Sequence, residues 1–230
     1  MLIALVGPDG AGKSTVVRAV LDRFGGRVTS VYMGVNLESS NAMLPTTRAI
    51  RAIRRARGVA QPTGPASEAA DDRETSGAAS GPTRRGPAYT LRSLFRLIGW
   101  LSEEWYRQLL VWRAERRGRV VLVDRHFFVD YFAHDITRRD LPLARRLHGL
   151  VLRRLYPRPD LVVVLDAPAE VLLARKGEGT LESLERRRRE YSAVGAYVPR
   201  AVTVDATRPT AEVIEDVVAL VEAAIASEAR

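Results

Sequence analysis

The segment Gly7-Pro8-Asp9-Gly10-Ala11-Gly12-Lys13-Ser14 constrains the fold of this chain more than any other. It fits the pattern G-x-x-x-x-G-K-[ST], and it lies between a short apolar run at 2–6 and a helical pattern that begins at Thr15. In that context backbone N–H groups turn inward around phosphate oxygens at a helix N-terminus. Lys13 would bring charge to the β- and γ-phosphates, and Ser14 would ligate Mg²⁺. The predicted phosphate-binding residues are Gly7, Asp9, Gly10, Ala11, Gly12, Lys13, Ser14 and Thr15.

Short apolar runs recur along the chain and alternate with helical patterns. After the first run, strands are predicted at 28–33, 120–123, 161–165 and 201–204. Continuous apolar runs of this length are typical of strands that are buried on both faces of a sheet. The alternation therefore predicts an α/β fold with a parallel sheet, in a single domain over residues 1–230.

Residues 58–117 contain two contrasting segments. Residues 58–88 hold five glycines, four prolines, no aromatic residue and almost no large aliphatic one, a composition that predicts a disordered insertion. A long amphipathic helix is predicted over 91–117, with a stripe of apolar residues that includes Trp105 and Trp112. We expect these two tryptophans to pack in the core.

The composition excludes several classes of protein. Because the chain has no cysteine, it cannot form disulfides, thiol nucleophiles or cysteine-ligated zinc sites. No apolar run reaches the roughly 20 residues of a membrane-spanning helix, so we expect a soluble, cytoplasmic protein with no membrane partner. The net charge of +9 suits phosphorylated molecules or nucleic acid. No recognised nucleic-acid module accompanies it, so we expect a small-molecule phosphate acceptor instead of nucleic acid.

Asp124-Arg125-His126 directly follows the third predicted strand. It therefore lies at the carboxyl edge of the sheet, where α/β proteins bind their ligands. An acid there can position Mg²⁺, which makes Ser14 and Asp124 the predicted metal residues. Arg125 can clamp a second phosphate in line with the γ-phosphate. Lys13, Asp124 and Arg125 are thus catalytic candidates, and His126 is predicted to line the acceptor.

Three segments resemble the thymidylate kinase family of nucleoside monophosphate kinases: residues 7–15, 124–126 and 159–168. The resemblance implies a P-loop NTPase fold with a five-stranded parallel sheet and helices on both sides. It also implies ATP and Mg²⁺ as cofactors, and transfer of the γ-phosphoryl group to a nucleoside monophosphate such as dTMP. On this reading Asp9 faces the acceptor sugar and Arg125 grips the acceptor phosphate. The family counterpart of the long helix packs in a dimer, so a homodimer stays open.

Members of the family use an arginine to stabilise the transferring phosphoryl group, and this chain lacks an arginine at one of the positions that supply it. Some members carry it where this chain has Gly10, and the others supply it from a mobile lid. A lid is therefore predicted over 175–191, where an arginine would reach the transferring phosphoryl group only once the site has closed. Arg175 is the named catalytic candidate. The sequence does not show which of the following arginines turns inward: Arg186, Arg187, Arg188 and Arg189.

The chain departs from the family after the second strand. Where the family has a loop of the Arg-Glu-Pro-Gly-Gly type, this chain has Tyr32-Met33-Gly34-Val35-Asn36. An acceptor other than dTMP therefore stays open, including a sugar or an antibiotic. A partner-dependent NTPase switch is a third hypothesis. It is disfavoured because the third strand ends in Asp-Arg instead of the Asp-Glu pair of many ATPases.

Overall fold

A computed structural model describes residues 1–34, 42–56, 87–131, 143–177 and 179–228. In these ranges five strands form one parallel sheet in the order β2-β3-β1-β4-β5. The strands are β1 Leu2–Val6, β2 Val28–Tyr32, β3 Val120–Asp124, β4 Leu161–Asp166 and β5 Ala201–Asp205. Each lies within a residue of its predicted bounds, so the predicted α/β class and parallel sheet are confirmed.

Helices cover both faces of the sheet. They are α1 Lys13–Phe24, α2 Pro45–Ala56, α3 Pro87–Glu115, α4 Phe127–Tyr131, α5 Leu143–Arg154, α6 Ala169–Lys176, α7 Leu181–Ala193 and α8 Thr210–Glu228. Helices α1 and α8 pack against one face, and α3 and α5 pack against the other. This arrangement is consistent with a P-loop kinase fold.

The central strand β1 explains why the predicted strands are continuously apolar. Ile3 and Leu5 point into the core beneath α1 and α8, and each is 0% exposed. Leu2, Ala4 and Val6 point into the core beneath α3 and α5. Because alternate residues enter different cores, every position of the strand must be apolar. The carboxyl ends of β1, β3 and β4 consequently meet at one edge, between the two helical layers.

Helix α3 confirms the predicted long helix but corrects its orientation. Its apolar stripe faces outward, since Leu91, Phe95, Ile98 and Leu109 are 52–66% exposed. The buried side instead carries Glu103, Glu104, Arg107 and Gln108, each 1–7% exposed. The polar side faces inward because its charges bind backbone groups and a histidine of the neighbouring elements, as described below. Trp105 and Trp112 are only half-buried and pack against each other, with ring centroids 5.8 Å apart.

Two further predictions, the insertion at 58–88 and the lack of a membrane-spanning helix, can be compared only with the described residues. The predicted insertion at 58–88 lies outside the described residues, except that Pro87 and Ala88 begin α3. Within the described ranges, no helix combines the length and the apolar character needed to cross a bilayer.

Candidate active site

The predicted phosphate loop connects β1 to α1. Gly7, Gly10 and Gly12 have positive φ angles of 148°, 89° and 85°, which L side chains rarely adopt. At Gly10 an added Cβ would also lie 2.6 Å from the backbone oxygen of Leu172. The loop thus takes its shape from glycines, as the motif predicts.

Lys13 is the first residue of α1 and is only 8% exposed. Its Nζ donates hydrogen bonds to the backbone oxygens of Gly7 at 2.8 Å and Pro8 at 2.7 Å. The ammonium group therefore lies inside the curve of the phosphate loop. A phosphate bound there would face both the lysine and the N-terminus of α1.

Arg125 joins the phosphate loop to the end of β3. Its Nη2 donates a hydrogen bond of 2.6 Å to Oδ1 of Asp9. Arg125 is also the one described non-glycine residue with positive φ, at 62°, a conformation that costs about 1 kcal/mol or more in an L-residue. Its backbone N–H donates to the Leu5 oxygen at 3.1 Å. Strained backbone at this edge of the sheet directs the guanidinium toward the loop.

The carboxylate of Asp9 interacts with several positively charged side chains at this site. Burial by itself would raise the pKa of Asp9, but Arg125, Lys13, Lys176 and Arg187 together lower it to about 2. The lid cations lie close, with Arg187 Nη1 at 3.4 Å and Lys176 Nζ at 3.6 Å from the carboxylate. Asp9 is therefore ionised throughout the physiological range, and it links the phosphate loop to β3 and to the predicted lid.

Asp124 and Ser14, the predicted metal residues, lie together. Burial raises the pKa of Asp124, while Lys13, Arg125 and a hydrogen bond with the Ser14 side chain act in the opposite direction. Oδ1 of Asp124 is buried and has no hydrogen-bond partner among the described residues. A carboxylate oxygen without a partner beside a hydroxyl suits Mg²⁺, which takes one or two protein ligands together with phosphate oxygens.

The predicted lid, residues 175–191, covers the last two residues of α6 and most of α7. Its arginines have different partners. Arg187 approaches Asp9, and Arg188 is held by both oxygens of Asp166, at 2.8 and 2.9 Å. Arg186 lies 3.9 Å from Glu190 on the surface of α7, and Arg189 is exposed. Arg187 thus reaches the phosphate loop, whereas Arg188 is held at the end of β4.

Arg175, the named catalytic candidate of the lid, has a different environment. Its Nη1 donates a 2.7 Å hydrogen bond to the backbone oxygen of Ala206, just after β5. The contact ties the end of α6 to the far side of the sheet edge. The arrangement favours Arg187 over Arg175 as the residue that approaches transferred phosphate.

His126 does not line an open cleft, which corrects the prediction for this residue. The side chain is 0% exposed, and its Nδ1 accepts a 3.2 Å hydrogen bond from the backbone N–H of Phe128. Its ring meets that of Tyr156 edge-on, with centroids 5.7 Å apart. Burial lowers the pKa of His126 to about 3. The next residue begins α4, which turns the chain back into the core and takes the imidazole with it.

Sequence reasoning missed a buried ion pair on α3. Arg107 is 1% exposed, and its Nη2 lies 3.5 Å from Oε1 of Glu103. The Arg107 guanidinium also donates to the backbone oxygens of Gly34 at 2.9 Å and Ala42 at 3.1 Å. Glu103 accepts a 3.0 Å hydrogen bond from the Thr47 hydroxyl. The spacing of four residues was the available signal, but many such pairs lie on solvated helix faces.

Comparison with known proteins gives two curated relatives. A protein of Pyrobaculum calidifontis named "Probable thymidylate kinase" is 33% identical over 118 residues, which cover 49% of this chain and 58% of that protein. A "Thymidylate kinase" of Dinoroseobacter shibae is 34% identical over 122 residues, covering 48% of this chain and 58% of that protein. No family model matches the chain.

The chain thus matches somewhat more than half of the length of these relatives. The structure separately shows a parallel sheet, a phosphate loop built on glycines and an arginine directly after β3. Over the matched part of its length, the chain is similar to these two thymidylate kinases.

Proposed function

We propose that this protein transfers the γ-phosphoryl group of ATP to the phosphate of a nucleoside monophosphate, dTMP or a related compound. The observation that carries the proposal is the 2.6 Å contact between Arg125 and Asp9. It keeps a guanidinium at the end of β3 next to the loop suited to ATP. A phosphate bound to Arg125 would therefore lie beside the phosphates of ATP, as in-line transfer between two phosphates requires.

The charges of the site suit an acceptor that is itself a phosphate. An oxygen of the acceptor phosphate forms the new bond to the γ-phosphorus, and the bond from that phosphorus to the β–γ bridging oxygen breaks. The bridging oxygen keeps the electron pair and leaves as part of ADP. Because a phosphate oxygen is already anionic, no general base is needed. Asp9, with a pKa of about 2, would be a poor base for a hydroxyl acceptor.

The phosphate loop and Lys13 would hold the β- and γ-phosphates through backbone N–H groups and the Nζ charge. Ser14 and Asp124 are the groups that would hold Mg²⁺. When bound, Mg²⁺ neutralises phosphate charge and orients the phosphates. Lys13 would exchange its present hydrogen bonds to Gly7 and Pro8 for phosphate oxygens.

Residues 175–191 serve in this proposal as a lid, with Arg187 as its phosphate-facing arginine. The proximity of Arg187 and Lys176 to Asp9 supports this role. Charge spreads over the equatorial oxygens during transfer, so a guanidinium at this point stabilises the transition state more than the bound substrates. Gly10, in the loop itself, has no side chain that could do so.

The test is an assay of ADP release with ATP and Mg²⁺ across dTMP, dUMP, other nucleoside monophosphates and simple sugars, with the product identified by mass. We expect turnover with a monophosphate. Arg125→Ala should raise the KM for that acceptor by about tenfold or more while the KM for ATP changes little. Arg113→Ala, an exposed arginine of α3, serves as the control.

Two outcomes would contradict the proposal. Phosphorylation of a sugar or another hydroxyl compound, with an acceptor KM that Arg125→Ala leaves unchanged, would make the protein a kinase of a different acceptor class. ATP hydrolysis that no small acceptor stimulates, but that a macromolecular partner does, would favour a nucleotide-dependent switch.

We further propose that the protein forms a homodimer through α3 and α5. Leu91, Phe95 and Ile98 on α3 are 58–66% exposed. The adjacent α5 exposes Leu143, Leu147 and Leu150 by 51%, 38% and 48%. Both sets repeat at three- and four-residue spacing, so two copies related by a two-fold axis would bury matching apolar stripes. Phe95→Glu should yield a monomer by light scattering, whereas Leu181→Glu, on α7, should not. A wild-type monomer at micromolar concentration would refute the dimer.

The cytoplasmic location expected from the sequence stays a prediction, as does the disordered insertion at 58–88. Both ATP and nucleoside monophosphates would have to be available where the proposed enzyme acts.

A further inference from the structure

Gly34 lies directly beside Arg125, although the two residues come from different strands. Met33, which follows β2, donates its backbone N–H to the oxygen of Asp124 at 3.1 Å. This hydrogen bond extends the pairing of β2 with β3 by a further step. Because Tyr32 pairs with Asp124, Met33 is level with Arg125 and Gly34 lies one residue further along, at the carboxyl edge of the sheet.

The absence of a side chain at Gly34 leaves room for two neighbours. A Cβ placed there would overlap the hydroxyl of Tyr32, and it would lie 2.6 Å from Cζ of Tyr32 and 2.7 Å from Cδ of Arg125. Carbon atoms without a bond between them normally approach no closer than about 3.5 Å. The methylene chain of Arg125 therefore runs across the bare Cα of Gly34.

The backbone at Gly34 is held in place from the other side. Its carbonyl oxygen accepts a 2.9 Å hydrogen bond from Nη1 of Arg107, a side chain that is 1% exposed. Arg107 is itself fixed by Ala42 and Glu103. Because a buried, multiply bonded guanidinium holds this peptide, the backbone is not free to retreat from an added Cβ. Relief must come from Arg125 and Tyr32 instead.

Arg125 has little freedom to adjust without losing its contact with Asp9. Its backbone is already in the left-handed region, at φ 62°, and its guanidinium is directed at Oδ1 of Asp9 over 2.6 Å. A displacement of Cδ of about 1 Å, the amount needed to restore normal packing, would be carried to the end of the side chain. The proposed acceptor clamp would then be misplaced.

We infer that Gly34 is a positioning residue for the acceptor phosphate, because its missing side chain sets the path of Arg125. The inference rests on the proposed function and deepens it. Arg107 completes the arrangement by holding the peptide of Gly34 against the side chain of Arg125. Gly34 acts through Arg125 and does not itself touch substrate.

Comparison with the other glycines explains why this role is separable from folding. An added Cβ at Gly10 would meet backbone atoms of Leu172, and Gly10 has a positive φ of 89°. Substitution there strains the fold itself. At Gly34 the atoms met belong to the side chains of Tyr32 and Arg125 and not to the backbone. Gly34→Ala should therefore impair positioning with little loss of stability.

The test compares Gly34→Ala with Gly26→Ala in the full chain. An added Cβ at Gly26 meets nothing within 4 Å, so this variant reports the effect of replacing a glycine alone. For Gly34→Ala we expect the acceptor KM to rise by about tenfold or more, with the ATP KM within about twofold of wild type. The midpoint of thermal unfolding should differ between the two variants by only a few degrees, about 1 kcal/mol.

A double-mutant cycle with Arg125→Ala shows whether Gly34 acts through Arg125. In the Arg125→Ala background, adding Gly34→Ala should change the acceptor KM by less than about twofold. A further tenfold rise would overturn the inference. So would equal acceptor KM values for Gly34→Ala and Gly26→Ala, or a parallel rise of both KM values with a large loss of thermal stability.

A crystal structure of Gly34→Ala separates this inference from the proposed function. We expect Nη2 of Arg125 to lie more than about 4 Å from Asp9, beyond ion-pair distance. An unchanged Arg125 would overturn the positioning role whatever the enzyme phosphorylates. If Gly34→Ala does not fold, Tyr32→Ala/Gly34→Ala removes both overlapping atoms of Tyr32 and keeps the contact with Arg125. If Arg125 is displaced in Gly34→Ala but the wild-type protein phosphorylates no monophosphate, the proposed function is refuted and the positioning role of Gly34 stands.

Discussion

The guanidinium of Arg125 and the carboxylate of Asp9 meet at 2.6 Å, although 116 positions separate them in the chain. The contact bridges the phosphate loop after β1 and the carboxyl end of β3. Lys13, Lys176 and Arg187 also contribute positive charge at Asp9. An acceptor phosphate that binds Arg125 must therefore share its guanidinium with Asp9 or displace it.

Asp9→Asn should lower the free energy of unfolding by about 2 kcal/mol at pH 7, because the carboxylate has a pKa of about 2 in the folded protein and an ordinary pKa of 3.8. A depressed pKa gives stability that is complete above pH 3.8 and is lost as the pH falls through 2. The difference from wild type should thus shrink to about half by pH 3. Urea unfolding at both pH values measures it. Asp22→Asn, an exposed carboxylate, is the control, and a difference independent of pH would contradict the charge argument.

Arg187→Ala should reduce kcat by about a hundredfold or more, since a phosphate-facing arginine acts mainly on the transition state. Arg189→Ala removes an exposed arginine two positions away and should leave kcat within about twofold. Steady-state kinetics with a saturating acceptor distinguish them. Arg175→Ala belongs in the same series: if it abolishes turnover and Arg187→Ala does not, the sequence-based candidate is the catalytic arginine.

His126 should make the protein less stable toward acid. The folded protein keeps this imidazole neutral down to about pH 3, whereas the unfolded chain binds a proton near 6.5. A lowered pKa of this kind favours the unfolded state below pH 6.5. Between pH 8 and pH 5 the free energy of unfolding of wild type should fall by about 2 kcal/mol relative to His126→Asn.

The measurement for His126 is chemical denaturation of both proteins across that pH range. His148, which shares a 3.0 Å hydrogen bond with Glu104, is present in both, so its contribution cancels in the comparison. Parallel pH profiles for the two proteins would show that His126 can take up a proton in the folded state.

Arg107→Ala should destabilise the protein by about 3–5 kcal/mol, because it leaves Glu103 as a buried charge without its ion-pair partner and releases two backbone oxygens. The comparison is Arg113→Ala, on the same helix but exposed, which should cost less than about 0.5 kcal/mol. Unfolding in urea gives both values. A loss below about 1 kcal/mol for Arg107→Ala would mean that the pair is as weak as one on the surface.

The sequence predicted those parts of the molecule that depend on short-range patterns. Each strand is a local apolar run, and the phosphate loop needs glycines in fixed order, so both could be located without tertiary information. The face of α3 could not be chosen in this way. Periodicity identifies an apolar stripe, but whether Phe95 or Arg107 points inward depends on which backbone groups of other segments need partners.

The residues proposed to approach phosphate were harder to assign for the same reason. Arg186, Arg187, Arg188 and Arg189 are chemically identical neighbours, and helical rotation turns them in different directions. His126 follows Asp124 and Arg125, two residues of the proposed site, yet the turn into α4 buries it. Gly34 gave only the general signal of a glycine after a strand, since the side chain that crosses it comes from Arg125, at the end of a different strand.

The left-handed backbone of Arg125 has a consequence for attempts to make this protein more heat-resistant. Glycine would adopt φ 62° without a steric penalty of about 1 kcal/mol. Arg125→Gly would, however, also remove the guanidinium that lies 2.6 Å from Asp9 and stabilises its charge, and glycine gives the unfolded chain more conformational freedom. Selection for survival at high temperature should therefore retain Arg125 despite its strained backbone, and stabilising substitutions should be found at other positions.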